Sequence, residues 1–207
     1  ISVGEDGPTH HCTEDIALMR VIPNMTVIVP ADATETRKAV FASAEWKGPV
    51  YLRLGRPDIP ILFDDSYEFK IGKANVIKEG KDVSIFACGL MVWQALQAIE
   101  LLEKEGIDAE LINVSTIKPL DEKTILNSLR KTACAVTAEE HNIIGGLGSA
   151  IAELMGEKFP APLERVGVKD RFAESGPWKE LLVKYNLSPQ DIKDAVIRAI
   201  NRKEGKR

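Results

Sequence analysis

The sequence predicts an α/β protein built on mostly parallel sheets, and three observations carry that prediction. Short runs such as Thr26-Val27-Ile28-Val29 and Val83-Ser84-Ile85-Phe86-Ala87 are apolar on both faces, as strands covered from both sides must be. Stretches with helical apolar spacing separate these runs, for instance Val92, Ala95, Leu96, Ile99 and Leu102. Strand, helix and strand then follow one another at a spacing that suits crossovers rather than hairpins, which implies parallel pairing.

The elements follow in order. Ser2-Val3 reads as the end of a strand opening onto a loop over 4–11. Thr13 is placed to cap a short helix over 14–21, with Glu14 and Asp15 at its positive end, and Pro23 stops it. Thr26 to Val29 is a strand ended by Pro30. Asp32 with Glu35 three positions on makes a capping-box-like start for a helix running to Trp46. Gly48-Pro49 breaks the chain, and 50–54 is the next strand. Residues 55–81, with Pro57, Pro60, Asp64, Asp65, Gly72 and Gly80, read as a connector. A boundary near residue 70 divides the chain into units 1–70 and 71–207.

The second unit opens with a strand over 83–87 and a helix over 90–105 that stops at Gly106. A strand over 109–114, a helix capped by Asp121 and a strand over 133–137 come next. Gly145-Gly146-Leu147-Gly148 opens a helix to Lys158. Ser188-Pro189-Gln190-Asp191 is a capping box before the last helix.

Composition narrows the function. Of 207 residues, 44% are hydrophobic and 28% charged, which excludes a disordered or coiled-coil chain. The net charge is −4; residues 1–70 hold 7 basic and 11 acidic groups, and 71–207 hold 20 of each. Neither unit carries the one-signed basic surface that nucleic acid requires. The longest apolar run, 85–93, falls well short of the roughly 20 residues of a bilayer span. Cys12, Cys88 and Cys134 are odd in number and outside any CxxC spacing, so they are expected to be reduced thiols of a cytoplasmic protein without a leader. With Ile at position 1, the sequence is expected to be a piece of a longer one.

Candidate chemistry lies in two loops beyond the carboxyl ends of strands, where open parallel sheets bind ligands. The first offers Asp6, Thr9 and His10, held between glycines and a proline. The second offers Arg56, whose guanidinium suits a bidentate grip on phosphate. Acid, imidazole and guanidinium on one rim would take a phosphorylated polar substrate. The plainer readings stand beside this: an Asp between glycines is a turn former, and an exposed Arg is a solvated face. His10 and His11 are adjacent and point to opposite sides, and no His, Cys, Asp or Glu spacing matches a metal site. Glu139-Glu140-His141 ends a strand before the glycine turn. That turn lacks both G-x-G-x-x-G and a P-loop lysine, so close packing explains it better than phosphate binding. Trp93 lies off the main helical stripe and reads as packing.

Taken together in order, these residues resemble transketolase. The resemblance rests on Gly4-Glu5-Asp6-Gly7-Pro8-Thr9-His10, Glu14-Asp15-Ile16-Ala17-Leu18-Met19-Arg20, Ile22-Pro23-Asn24-Met25 and Pro30-Ala31-Asp32-Ala33-Thr34-Glu35-Thr36. It continues through Arg53-Leu54-Gly55-Arg56-Pro57, Thr116-Ile117-Lys118-Pro119-Leu120-Asp121, Glu139-Glu140-His141 and Gly145-Gly146-Leu147-Gly148. It covers essentially the whole chain and matches the family's C-terminal part: the last portion of the pyrimidine-binding domain, then the C-terminal domain. It is similar to the shorter transketolases, including those encoded as two polypeptides.

The resemblance implies transfer of a two-carbon ketol unit between sugar phosphates in pentose phosphate metabolism, with thiamine diphosphate and Mg2+. It implies a dimer with sites between subunits. Asp6 resembles the residue that hydrogen-bonds a substrate hydroxyl beside the reacting carbon. His10 resembles the catalytic histidine near the donor's carbonyl and hydroxyl oxygens, where a donor stabilises developing charge. Arg56 resembles the arginine that binds the sugar phosphate. The family's glutamate and aromatics that meet the aminopyrimidine ring fall before residue 1, and its diphosphate-and-metal motif belongs to a separate N-terminal domain. No cofactor-binding residue is therefore assigned here, and the piece is expected to be inactive without the rest of the enzyme. No role attaches to His11 or Cys12. Two related enzymes, deoxyxylulose-phosphate synthase and the beta subunit of a 2-oxoacid dehydrogenase, are alternatives. The Gly-Glu-Asp-Gly-Pro-Thr-His string and Arg56 favour transketolase over the dehydrogenase, which handles no sugar phosphate. A third alternative is a module used only in assembly.

Overall fold

The computed structural model describes residues 1–206. After a single 3-10 turn, Gly4–Asp6, come α1 (Asp15–Val21), β1 (Thr26–Ile28), α2 (Ala33–Glu45), β2 (Val50–Leu52), β3 (Asn75–Lys78) and β4 (Val83–Ala87). Then follow α3 (Leu90–Glu103), β5 (Ala109–Asn113), β6 (Thr116–Lys118), α4 (Glu122–Thr132) and β7 (Ala135–Asn142). The chain closes with α5 (Leu147–Lys158), β8 (Leu163–Val168), α6 (Trp178–Lys184) and α7 (Pro189–Lys203). No helix among the described residues is long and apolar enough to cross a membrane.

A five-stranded sheet runs β3-β5-β4-β7-β8, parallel except for β3, which pairs antiparallel with β5. Its central strand β4 is buried throughout and apolar on both faces, as the period-two reading requires. Val83, Ile85 and Ala87 point into one core with Met91, Leu102, Val196 and Leu181, from α3, α7 and α6. Phe86 points the other way, into a core with Ile16, Val27, Ile125, Leu129 and Ile151, from α1, β1, α4 and α5. The second core thus reaches from the large sheet to the first elements of the chain.

A three-stranded sheet runs β2-β1-β6. β1 and β2 are parallel, as a strand–helix–strand unit demands, and β6 from the second half closes the other side antiparallel. Two helix-capping aspartates fix the connector between the sheets. Asp32 caps α2 by accepting from Glu35 N at 2.7 Å, and its other oxygen takes Leu62 N and Phe63 N at 2.6 and 2.8 Å. Asp121 caps α4 and takes Ala74 N at 3.2 Å. The cap and connector therefore order each other.

Several elements differ from the sequence reading. Ser2-Val3 forms a turn rather than a strand end. Thr13 makes no cap; Glu14 stands at that position without a side-chain bond, and the Thr13 carbonyl accepts from Asn142 N at 2.7 Å instead. The connector contains β3, an edge strand, and β6, β8 and α6 were not anticipated. Ala133 is the left-handed end of α4 rather than a strand residue, and β7 runs on through Glu139, Glu140 and His141 to Asn142. β6 spans only three residues, and β8 is an edge strand with the charged Glu164 and Arg165 in it, so neither has an alternating apolar signature.

Candidate active site

The loop carrying Asp6 and His10 begins with the 3-10 turn and folds back on itself. Gly7 N donates to Gly4 O at 3.2 Å, and His10 N and His11 N both donate to Gly7 O, at 3.0 and 3.1 Å. Gly7 has φ of +77°, a backbone that side-chain-bearing residues rarely adopt. His11 is buried, and its Nε2 donates to Gly4 O at 3.1 Å. Burial pushes the His11 imidazole below its ordinary pKa. A neutral ring with its proton on Nε2 fits that bond.

The strand β2 delivers the second loop. Its side chains alternate: Tyr51 and Arg53 turn inward to Asp15, while Arg56 lies past the strand end at the surface. Arg56 Nη1 pairs with Asp6 Oδ2 across fifty positions of sequence. Both groups are accessible, at 62% and 39% of their side-chain surface. His10 stands on the same loop, exposed, with Nδ1 3.0 Å from Thr9 Oγ1. The structure therefore brings Asp6 and Arg56 into contact, and holds His10 four residues along the same turn, bonded to Thr9 rather than to either of them.

Arg56 also lines a cleft of about 410 Å3. Its walls include Asp32, Ala33 and Arg37 from the start of α2, Arg53 to Ile59, Gly89-Leu90 and Glu140. Neither Asp6 nor His10 lines it. The cleft opens at the carboxyl ends of β1 and β2, as expected for a parallel sheet.

Beneath the loops lies a buried polar joint that sequence reasoning missed. Asp15 Oδ2 accepts from Arg53 Nε at 2.8 Å and from Tyr51 Oη at 2.7 Å. Arg53 Nη2 also donates to the carbonyls of Cys12 and Glu140, at 2.8 and 2.9 Å. This joins α1, β2 and β7. Burial and the Asp15 carboxylate push the Tyr51 phenol upward, so it remains a donor. The only available signal was the i, i+2 spacing of Tyr51 and Arg53, which puts both on one face of a strand.

The glycine turn before α5 is filled by the chain itself. Glu139 Oε2 accepts from Leu147 N at 2.7 Å and Oε1 from Gly148 N at 2.8 Å, so an internal carboxylate occupies the positive end of the helix. A Cβ at Gly146 would overlap that carboxyl, which makes this a close-packing glycine. A similar buried acid, Glu35, accepts from Ala31 N, Tyr67 Oη and Asn113 Nδ2 at 2.6 to 3.0 Å, and burial pushes its pKa up. Glu35 thus reaches into the interior, linking α2 to the connector and β5. Among the described residues, no group of three or more His, Cys, Asp or Glu side chains is placed to hold a metal.

Family models describe the two halves. The transketolase pyrimidine binding domain matches residues 1–61, and the transketolase C-terminal domain matches 72–192. A 6-deoxy-6-sulfo-D-fructose transketolase subunit of Clostridium sp. (strain MSTE9) is 46% identical over 198 residues, covering 96% of this chain and 62% of that protein. A 1-deoxy-D-xylulose-5-phosphate synthase of Geobacter sulfurreducens is 40% identical over 195 residues, covering 92% of this chain and 30% of the synthase. Among solved structures, a split-gene transketolase described as an inactive beta4 tetramer superposes with a TM-score of 0.89 at 47% identity, covering 95% of this chain and 64% of that one. The chain spans roughly three fifths of the length of the transketolase relatives it matches.

Proposed function

The chain belongs to the transketolase family, and from that premise we propose that it is the substrate-side portion of a ketol-transferring enzyme. In this reading Asp6 accepts a hydrogen bond from a hydroxyl of the sugar, Arg56 grips its phosphate, and His10 donates to the donor's oxygens as charge develops there. The observation that carries it is the Asp6–Arg56 ion pair, of which Arg56 also lines the cleft. An ion pair this exposed contributes little to stability, about 0–1 kcal/mol. An incoming phosphate and a sugar hydroxyl can therefore take over the two partners at small cost.

Thiamine diphosphate, when bound, supplies the carbanion chemistry. Among the described residues no group of three or more His, Cys, Asp or Glu side chains is placed to hold a metal, and the acids Glu139 and Glu35 are spent on internal partners. The proposal therefore assigns the cofactor, with Mg2+, to the remainder of the enzyme and to a second subunit. It also includes sugar phosphate substrates, a dimeric complete enzyme acting in the cytoplasm, and a division near residue 70. The gap between the two matched stretches, 62–71, supports that division.

The test is ketol transfer from xylulose 5-phosphate to ribose 5-phosphate after the chain is combined with the polypeptide carrying the remaining domains. Arg56→Ala should raise KM for phosphorylated donors roughly 10- to 100-fold, the worth of a charge-assisted hydrogen bond, and leave a non-phosphorylated donor nearly unaffected. Equal losses on both donors would contradict the assigned role. The identity to a deoxyxylulose-phosphate synthase supports a second reading, in which the product is a deoxyxylulose phosphate. Identifying the sugar phosphate formed in the same assay separates the two.

A further inference from the structure

The loop that carries Asp6 is also held from outside, by the turn between β8 and α6. Ser175 Oγ lies over Gly7, so close that a methyl group at Gly7 would overlap it. The Gly176 carbonyl and the Trp178 Cβ lie 3.2 and 3.5 Å from where a Cβ on Gly4 would stand. This turn lies in the stretch matched by the C-terminal domain, far from the candidate site in sequence.

The turn is itself firmly anchored. Arg171 Nη2 donates to Lys184 O at 2.8 Å and its guanidinium lies 4.2 Å from the centre of the Tyr185 ring. Tyr185 Oη donates to Phe172 O at 3.1 Å, and Lys184 pairs with Glu174. Ala173, Leu181 and Leu182 sit in the main core together with Ile1. A braced turn thus fills the space over the two glycines that flank Glu5 and Asp6. Its neighbour is a single 3-10 turn, with Gly4 N donating to Ile1 O and Gly7 N and His11 Nε2 both donating to Gly4 O.

We propose that Ser175 is a positioning residue for Asp6, so that the C-terminal half of the chain sets the geometry of the substrate site. The inference deepens the proposed function and rests on it for the role of Asp6. Asp6 immediately precedes Gly7, so pushing Gly7 aside swings its carboxylate, and small displacements of a substrate contact are costly.

The experiment uses the reconstituted enzyme with xylulose 5-phosphate, plus hydrogen exchange of the peptide over 4–11 in this chain. Ser175→Leu, which would push on Gly7, should raise KM roughly tenfold with little change in the thermal midpoint, and should speed exchange of the His10 and His11 amides. Ser175→Ala, which removes the oxygen over Gly7, should shift KM and exchange in the same direction by a smaller factor. In an Asp6→Ala background Ser175→Leu should add nothing, because its effect passes through Asp6. A further loss in that background, or unchanged KM and unchanged exchange, would overturn the inference. Should Ser175→Leu fail to fold, the smaller Ser175→Val takes its place with the same expectations. If the unaltered enzyme shows no transfer, or Asp6→Ala has no effect, the functional reading fails, while the exchange measurement still decides whether the turn holds the loop.

Discussion

Glu139 shows how one residue can couple stability to pH. It is fully buried, and burial pushes its pKa up to about 7 against the opposing pull of the two α5 amides. A carboxyl whose folded pKa exceeds its unfolded value binds more protons in the folded state between the two, so it stabilises the fold at low pH and loses that contribution as pH rises towards 7. His11 and His141 act oppositely: burial lowers both, so their contribution disappears as pH falls below the ordinary imidazole range. Glu139→Gln should therefore flatten the decline in thermal midpoint between pH 5 and 7 and leave the acid limb in place. Thermal melts across that range check this, and an unchanged slope would contradict it. Asp6, His10 and Arg56 were legible as candidates because glycines and strand ends mark exposed loops. Asp15 and Arg53 were not. Two acids at the start of a helix look like dipole partners, and nothing in the sequence shows that Asp15 turns inward. Removing Arg53 leaves the Asp15 carboxylate buried without its cation, so Arg53→Ala should cost about 3–5 kcal/mol in denaturant unfolding.

At the scale of elements, α5 offers a paired comparison between its N-cap glycine and one in its interior. A Cβ at Gly146 would overlap the Glu139 carboxyl, whereas a Cβ at Gly156 meets nothing within 4 Å. Gly146→Ala should therefore destabilise the chain by about 1–3 kcal/mol, and Gly156→Ala should stabilise it by about 0.4–1 kcal/mol. Chemical denaturation of the two variants measures both. The last helix provides a simpler case. Ser188 and Asp191 cap each other's backbone, and Ser188→Ala should cost about 1 kcal/mol. The strands β1, β4 and β5 and the helices α3, α4 and α7 were legible because their burial follows a clear period or a cap. The edge strands β3 and β8 carry polar residues that blur the period, and β6 is too short to show one.

At the scale of the whole molecule, the two halves share more than a linker. β6 completes the first sheet, Glu35 bonds Asn113 across the connector, and Arg53 reaches the backbone of β7. These cross-connections were invisible in the sequence, which supplies local pattern but not the partners of a buried polar group. The parallel α/β class was legible, since both faces of the central strands are apolar. The central claim is that this chain carries the substrate side of the reaction and leaves the cofactor to the rest of the enzyme. Calorimetric titration of thiamine diphosphate with Mg2+ tests it most directly, first into this chain alone and then into its mixture with the remaining polypeptide. The account predicts no heat of binding at micromolar cofactor for the chain alone, with binding and ketol transfer appearing together in the mixture. Micromolar binding by the chain alone would contradict it.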